Sequence, residues 1–359
     1  MTELEDGHSE REFRASPMPP HLDRLIYDED RSRGVDDVID LMSMIVPHHT
    51  FRKIIGRTRQ VHELFNRKPG AEAKHLLILG RSGSGKSRAL KHYAAGFPPR
   101  RGQGGWVRPV VYVKVPSDSN RTSLLKEMLR ALGVPSSGKQ DLKDMENSIR
   151  HHLVEQVVEL LVVDEFQHLV DQKTKRFQSV TADFFKDLLS DNICQMVFCG
   201  LESSIAASEI NVQLGRRKRG RYDVLPYNWL SVEGNRNYRG FLSAVAKWMA
   251  DRKMFDDRPS LEGKEIAQRL HVATDGLIGL TMNLVIVGAT IALRDQAATL
   301  GLKHLGEAFD ELKREGISKN PFTEKECPKA LGVSVDYVFD EKTNLRKLVE
   351  RLPLASFVR

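Results

Sequence analysis

An eight-residue loop, Gly80-Arg-Ser-Gly-Ser-Gly-Lys-Ser87, holds the residues whose types and spacing point most directly to chemistry. It matches the pattern G-x-x-x-x-G-K-[ST], in which glycines let successive backbone N–H groups turn inward around a phosphate. The helix that follows such a loop directs its positive N-terminus at the same phosphate. The alternative is a glycine-rich turn that only joins a strand to a helix. We expect a bound nucleotide to contact Gly80, Arg81, Ser82, Gly83, Ser84, Gly85, Lys86, Ser87 and Arg88.

Two adjacent carboxylates, Asp164 and Glu165, follow a short apolar run and form the second chemical motif. Ligands of parallel sheets bind beyond the carboxyl ends of the strands, so both side chains are expected near the nucleotide. Lys86 then contacts the β- and γ-phosphates of ATP, while Ser87 and Asp164 bind Mg²⁺. Glu165 is placed to polarise the water that attacks the γ-phosphate, so Glu165 and Lys86 are expected to be catalytic. Without the phosphate loop, the same carboxylate pair is equally typical of a solvated strand end.

The elements that must position these residues follow from the apolar pattern. Short apolar runs alternate with helical patterns from residue 75 to residue 199, which predicts a parallel α/β sheet flanked by helices. Beyond residue 230 only helical patterns occur, as in a smaller α-helical lid domain. The predicted strands are 75–80, 110–115, 160–163 and 193–199, and the predicted helices are 35–46, one from Thr58, 87–95, 122–132, 141–156, 177–189, 238–251, 261–273, 280–297, 303–315 and one near 341–351.

These patterns divide the chain into four parts. They are an acidic, flexible N-terminal tail (1–35), an α/β nucleotide-binding domain (36–230), a helical lid domain (231–322) and a C-terminal extension (323–359). Lys and Arg outnumber Asp and Glu by 55 to 48, and this excess lies outside the acidic beginning of the chain. A basic body indicates a polyanionic partner such as nucleic acid, or it is ordinary surface charge that favours solubility.

Composition also bears on the compartment. Three cysteines are too few for a disulfide framework or a zinc site, which indicates reduced thiols in a cytoplasm. No apolar run approaches the ~20 residues of a transmembrane helix, and the first residues lack a signal-peptide pattern. We therefore expect a cytoplasmic protein with no membrane contact. His48-His49 and His151-His152 show no carboxylate or cysteine at a metal-binding spacing and are expected at the surface, whereas His168 is expected to be a packing or capping residue.

The order of the motifs resembles that of AAA+ ATPases. An apolar-Gly-Arg segment, Ile54-Ile-Gly-Arg57, precedes the phosphate loop, and the Asp-Glu pair, a further strand, an arginine cluster and a helical region follow it. In AAA+ proteins a segment at this first position packs against adenine. The resemblance therefore implies that Ile55, Gly56 and Arg57 contact the nucleotide, and that ATP and Mg²⁺ are the cofactors.

A narrower resemblance is to the TniB/TnsC group of ATP-dependent regulators of DNA transposition, over about residues 50–322. It implies self-association into a ring or helical filament on double-stranded target DNA. It also implies a transposase and a target-selector protein as partners, with disassembly on ATP hydrolysis. A helicase-loader-type AAA+ ATPase and a signalling NTPase that does not bind DNA are the alternatives. The segments that carry the resemblance are Pro109-Val-Val-Tyr-Val-Lys-Val-Pro116, Asp164-Glu-Phe-Gln-His168, Gln213-Leu-Gly-Arg-Arg217, Gly276-Leu-Ile-Gly279 and Asn320-Pro-Phe322.

Two positions depart from the pattern of the group. Cys199-Gly200-Leu201-Glu202 stands where a Thr, Ser or Asn senses the γ-phosphate. Leu280, Thr281 and Asn283 stand where many AAA+ lids carry an arginine. Both departures favour slow hydrolysis that depends on DNA or a partner protein.

Basic residues supply the remaining candidates. Arg216 or Arg217, in the cluster Arg-Arg-Lys-Arg-Gly-Arg221, is the expected arginine finger for a neighbouring subunit's γ-phosphate; the cluster is otherwise a solvated loop or a nucleic-acid patch. The loops that face the channel of ring-forming AAA+ proteins imply further DNA contacts, although each side chain alone is also typical of a solvated surface. These candidates are Arg100, Arg101, Lys114, Asn120, Arg121, Lys173, Lys175 and Arg176.

Overall fold

The computed structural model describes residues 29–67, 72–117, 120–135, 141–169, 175–201, 218–312, 319–329, 335–340 and 345–350. Two helices, α1 (Glu29–Ser43) and α2 (His49–Arg67), precede the sheet. The α/β part comprises β1 (His75–Leu79), α3 (Lys86–Ala95), β2 (Arg100–Gly102), β3 (Gly105–Val107), β4 (Val110–Lys114), α4 (Arg121–Ala131), α5 (Leu142–Glu155), β5 (Leu160–Asp164), α6 (Lys175–Ser190), β6 (Gln195–Gly200) and β7 (Lys218–Asp223). The rest comprises α7 (Val232–Asp251), α8 (Lys264–Thr274), α9 (Ile278–Arg294), α10 (Leu302–Leu312), β8 (Val335–Asp340) and β9 (Leu345–Glu350).

Five strands form one parallel sheet in the order β4-β5-β6-β1-β7. The side chains of β1, β5 and β6 are buried at every position, as expected for strands that helices cover on both faces. The predicted α/β sheet flanked by helices is thus confirmed. Because β6 alone separates β1 from β5, the carboxyl ends of those two strands lie roughly 10 Å apart at one edge of the sheet.

Alternate residues of each strand enter two different apolar cores. Leu77 and Val163 pack with side chains of α4, α5 and α6 on one face of the sheet. Leu76 and Ile78 pack with α2 and α3 on the other face, where Ile54 is fully buried. This double coverage holds the strand ends, and therefore the loops that follow them, in fixed positions.

A third apolar core joins helices α7 to α10. Tyr238 lies at its centre, fully buried, and its hydroxyl lies 2.9 Å from the Thr281 hydroxyl oxygen. Leu41 of α1 belongs to the same core, so the first described helix packs on the helical part and not on the sheet. The helical region that the sequence predicts after residue 230 is confirmed, whereas the four-part domain division stays a prediction.

The terminal helix expected near residues 341–351 is wrong. Strands β8 and β9 pair in antiparallel fashion there, with Val335 opposite Glu350. Leu345, Leu348 and Val349 have helical spacing, which accounts for the error. The preceding Val-Asp-Tyr-Val-Phe run is rich in β-branched and aromatic residues, which favour a strand. Residues 345–350 pair with it, and the spacing of apolar residues within 345–350 alone does not reveal that partner.

The sequence also misses structure in two basic segments. Residues 218–223, which overlap the arginine cluster and are not predicted as a strand, form strand β7 and pair with β1. Residues 100–107 form a hairpin of β2 and β3. Neither segment has an apolar run. Strand β7 lies at the edge of the five-stranded sheet, and β2 and β3 pair only with each other, so none of the three strands requires buried side chains on both faces. In addition, the helix expected from Thr58 begins earlier, at His49.

His151 is exposed and His152 is partly exposed, but the expectation that no carboxylate stands at a metal-binding spacing from them is wrong, as is the surface position expected for His48. Glu155 lies close to both His151 and His152, with one ligand atom of each residue within 4.8 Å of the others. Glu155 follows the two histidines at the helical spacings i+4 and i+3, which bring its carboxylate to the same face of α5. His48 is not a free surface residue either, since its Nδ1 lies 3.1 Å from the Tyr227 hydroxyl and its ring packs edge-on against Phe241.

Candidate nucleotide-binding site

The phosphate loop lies between β1 and α3. Gly83 and Gly85 have φ values of +77° and +89°, a region that side-chain-bearing residues rarely adopt. Lys86 begins the helix, so the first N–H groups of α3 point into the loop. This is the strand–loop–helix context that the motif requires for binding phosphate.

Lys86 is buried inside the loop, with 7% of its surface exposed. Its Nζ donates hydrogen bonds to the carbonyl oxygens of Gly80 at 2.7 Å and Arg81 at 2.9 Å, and to the Ser84 hydroxyl at 3.1 Å. Burial lowers the pKa of the Lys86 ammonium, and the nearby Asp164 and Glu165 carboxylates act in the opposite direction. The ammonium therefore sits at the centre of the loop, where it can exchange a carbonyl partner for a phosphate oxygen.

Asp164 ends β5 and is almost completely buried, at 1% exposure. One carboxylate oxygen accepts the Tyr112 hydroxyl, and the other accepts the Glu165 backbone N–H at 2.9 Å. Burial and the adjacent Asp164 carboxylate raise the pKa of Tyr112 far above its ordinary value, so Tyr112 remains a hydrogen-bond donor. These two bonds fix the orientation of the carboxylate. Tyr112 is a supporting residue that the sequence analysis missed.

Glu165 stands in a strained backbone conformation with a φ of +58°. Its Oε2 accepts a hydrogen bond from the Gln167 side-chain amide and lies 4.0 Å from His168 Nε2. The side-chain carbonyl oxygen of Gln167 (Oε1) in turn accepts a hydrogen bond from the Leu201 backbone N–H at 3.1 Å. Gln167 therefore ties the Glu165 carboxylate to the end of β6, where the resemblance expects a γ-phosphate sensor. Apart from its position two residues after Glu165, Gln167 has no feature in the sequence that predicts this role.

The helical part contacts the phosphate loop directly. The Gly279 N–H donates to the Gly83 carbonyl oxygen at 2.7 Å, and an Arg81 guanidinium nitrogen lies 3.5 Å from the Asp275 carboxylate. A Cβ atom added to Gly279 would lie 2.7 Å from the same Gly83 oxygen. Gly276-Leu-Ile-Gly279, which the sequence identifies only by resemblance, is thus the segment that places the lid on the loop.

Gly279→Ala is expected to weaken nucleotide binding. The new methyl group meets backbone of the phosphate loop, and overpacking of this kind typically costs about 1–3 kcal/mol. When the lid moves away from the phosphate loop to relieve this steric contact, affinity for an ATP analogue falls roughly tenfold. Isothermal titration measures the change, with Gly240→Ala as the control because a Cβ there meets nothing within 4 Å. Equal affinity of both variants would contradict a lid that contributes to nucleotide binding.

The other predicted nucleotide contacts lie in α2, in the phosphate loop and at the start of α3. Ile55, Gly56 and Arg57 lie within α2, beside the fully buried Ile54. The Arg88 guanidinium donates to the carbonyl oxygens of Met42 and Met44, so it ties α3 to the end of α1. Whether adenine packs on the α2 segment stays a prediction. Ser82 lies in the loop, and Ser87 is the second residue of α3.

The expected DNA contacts do not form one cluster. Arg100 and Arg101 are exposed on β2, whereas Lys114 is exposed at the opposite end of β4. Asn120 and Arg121 have local roles, because the Asn120 side chain caps α4 and the Arg121 guanidinium binds Glu146. Lys173, Arg216 and Arg217 lie outside the described residues, as do the side chains of Lys175 and Arg176.

Comparison with known proteins identifies the family. Residues 43–222, half of the chain, match the family described as "Bacterial TniB protein". The chain belongs to the TniB family. None of the curated proteins matches the chain significantly.

Solved structures similar to this TniB protein have the AAA+ fold. Cdc6p from Pyrobaculum aerophilum matches with a TM-score of 0.52 and 17% identity, over 73% of this chain and 68% of that chain. ORC1 from Aeropyrum pernix, solved in complex with DNA, matches with a TM-score of 0.53 and 15% identity, over 76% and 68%. ORC2 from Aeropyrum pernix matches with a TM-score of 0.50 and 14% identity, over 73% and 68%. At these identities the likeness shows the fold alone.

The family, the fold and the motifs together confirm the sequence-based identification. The protein is an AAA+ ATPase of the TniB family, an ATPase of transposition-related type. Within the described ranges, no single helix is long and apolar enough to span a membrane. Helices α8 and α9 pass that test as a pair, but the chain bends by 115° between them.

Proposed function

We propose that this TniB protein is an ATP-dependent switch in DNA transposition. With ATP bound it self-associates into a ring or helical filament on double-stranded DNA and recruits a transposase. A target-selector protein directs where the assembly forms, and hydrolysis to ADP releases it. ATP at the subunit interface supplies the contacts that favour assembly, and loss of the γ-phosphate removes them.

One observation carries the proposal. Lys114, Glu165 and His168 line the same cavity of about 640 Å³ at the carboxyl ends of β4 and β5. Lys114 is exposed and pairs in register with Asp164 on the neighbouring strand. A DNA phosphate held by Lys114 therefore lies next to the carboxylate proposed to activate water. This arrangement supports a proposed coupling of DNA binding to hydrolysis through neighbouring residues.

The donor set at the strand ends suits Mg²⁺. The Ser87 hydroxyl and the Asp164 carboxylate are the hard oxygen ligands that this ion prefers. The Tyr112 hydroxyl, the Glu165 N–H and the Cys199 thiol all hydrogen-bond to Asp164, and a carboxylate has about four acceptor sites, so a lone pair remains for a metal. Mg²⁺ bound there would neutralise charge on the β- and γ-phosphate oxygens.

The protein's own residues would then divide the chemistry. Lys86 binds the β- and γ-phosphates in place of the loop carbonyls, and Glu165 accepts a proton from the attacking water. Leu201 lies where a polar γ-phosphate sensor is expected, and Leu280, Thr281 and Asn283 lie where a lid arginine is expected, so hydrolysis is slow until DNA or a partner binds. Arg216 or Arg217 is proposed to complete the site of a neighbouring subunit.

Lys114→Gln is expected to weaken ATP-dependent DNA binding. The variant loses one phosphate contact, so the slope of log K against log salt becomes less steep by about one. The measurement is a titration of labelled duplex DNA at several salt concentrations, in the presence of an ATP analogue. Lys126→Gln is the matched control, since Lys126 is an exposed lysine of α4. An unchanged slope in Lys114→Gln would contradict its contact with DNA.

The same assay separates the alternative functions. A signalling NTPase would show neither ATP-dependent DNA binding nor faster hydrolysis with DNA. A helicase loader would bind DNA but would co-purify with a replicative helicase and not with a transposase. Binding to the transposase, together with DNA-stimulated hydrolysis, is the combination that our proposal requires.

A further inference from the structure

The hairpin of β2 and β3 projects from the polypeptide between the phosphate-loop helix and the edge strand β4. Its register pairs Arg100 with Val107, Arg101 with Trp106 and Gly102 with Gly105. All three residues of β2 are exposed, as are the first two of β3. At its base, the Arg108 N–H donates to the Gln156 carbonyl oxygen at 2.9 Å, which anchors the hairpin to the body of the protein.

Trp106 is the notable side chain of this hairpin, because 48% of its surface is exposed. Two guanidinium groups face its ring, that of Arg101 at 5.5 Å from the ring centroid and that of Arg108 at 5.9 Å. Such contacts orient an aromatic ring without burying it. The result is an apolar ring with a free surface, held between positive charges.

The stretch of chain that contains this ring carries charges of one sign. From Lys91 to Ser117 the sequence contains no Asp or Glu, while it contains Arg100, Arg101, Arg108 and Lys114. Among the described residues, no carboxylate lies within ion-pair distance of Arg100 or Arg101. A protein partner with an apolar groove would not need this charge. A nucleic acid offers both of the matching surfaces, the aromatic faces of its bases and the negative phosphates beside them.

We propose that the hairpin is a DNA-binding element in which Trp106 stacks against a base of the bound duplex while Arg100 and Arg101 contact flanking phosphates. This inference rests on the proposed function, since it requires that the protein binds DNA. The hairpin and Lys114 lie at opposite ends of β4, which at about 3.3 Å per residue separates them by roughly 17 Å. One duplex running along this edge of the sheet reaches both. Insertion of the ring at a base step also unstacks and bends the DNA.

Trp106→Ala and Trp106→Phe test this role. In the presence of an ATP analogue, Trp106→Ala should weaken binding of a fluorescein-labelled duplex by roughly 5- to 150-fold. Trp106→Phe should keep most of the affinity, because a phenyl ring still stacks. Trp106→Ala should leave the salt slope unchanged, whereas Arg100→Gln should reduce it by about one. Thermal unfolding of each variant checks that the fold is intact.

Fluorescence gives an independent readout. The chain has three tryptophans, and Trp248 is a matched control because it also lies beneath a guanidinium, that of Arg252 at 4.4 Å. Duplex DNA should quench the emission of the wild type and of Trp248→Phe, but not that of Trp106→Phe. If the wild type does not bind DNA at all, the proposed function fails. If the wild type binds DNA and Trp106→Ala binds it equally well, the role of the hairpin is refuted.

Discussion

Lys86→Ala abolishes ATP binding and, with it, ATP-dependent assembly on DNA, if the phosphate loop works as its geometry indicates. The Lys86 Nζ lies within hydrogen-bond distance of two loop carbonyls and one hydroxyl, at the centre of the anion site. Its removal deletes the positive charge that must face the β- and γ-phosphates. We expect this loss of ATP affinity to be larger than that caused by any other single substitution in the protein.

Equilibrium titration with a fluorescent ATP analogue measures this effect, and sedimentation with duplex DNA measures assembly. Lys126→Ala serves as the control for loss of one positive charge, since Lys126 is exposed on α4. Truncation also leaves the Gly80 and Arg81 carbonyls without their donor, so circular dichroism must show that Lys86→Ala remains folded. ATP-dependent oligomers of a folded Lys86→Ala protein on DNA would overturn the assignment of the site.

Glu165→Gln separates binding from hydrolysis. The glutamine has nearly the same size, and its carbonyl oxygen still accepts the hydrogen bond from the Gln167 amide. It cannot accept a proton from water, so turnover should fall by about 10²-fold or more while ATP binding survives. Assemblies on DNA should accordingly persist instead of decaying.

Steady-state phosphate release, together with analogue titration, distinguishes these effects. Glu311→Gln is the matched control, because Glu311 is an exposed carboxylate of α10 far along the chain from the site motifs. A Glu165→Gln protein that loses ATP affinity and turnover in equal measure would show that Glu165 is a binding residue. Unchanged turnover would show that another group activates the water.

The sequence predicts those site residues that directly follow or end a buried strand. Leu76–Leu79 and Leu160–Val163 are apolar runs that end in glycine or a carboxylate, and buried parallel strands have little other sequence freedom. The positions of Lys86 and Asp164 follow directly from these runs and the motif. The central strands of the sheet and the positions of Lys86 and Asp164 at their ends are therefore readable from local pattern.

The remaining contacts depend on tertiary structure. Gln167 meets Glu165 only because a short 3-10 turn follows β5, and Gly279 meets Gly83 only because the lid folds back across almost two hundred residues. Strand β7 shows no apolar run, since backbone hydrogen bonds to β1 define it. No sequence pattern marks Trp106 as exposed. Arg101 and Arg108 lie over its ring only because β2 pairs with β3.

Electron microscopy of the protein with duplex DNA tests the proposed switch most directly. With a non-hydrolysable ATP analogue, the wild type should form rings or helical filaments on the DNA, and with ADP it should form none. Lys86→Ala should form none under either condition. Particles that remain monomeric on DNA, at analogue concentrations shown by titration to saturate the site, would contradict ATP-controlled assembly on DNA.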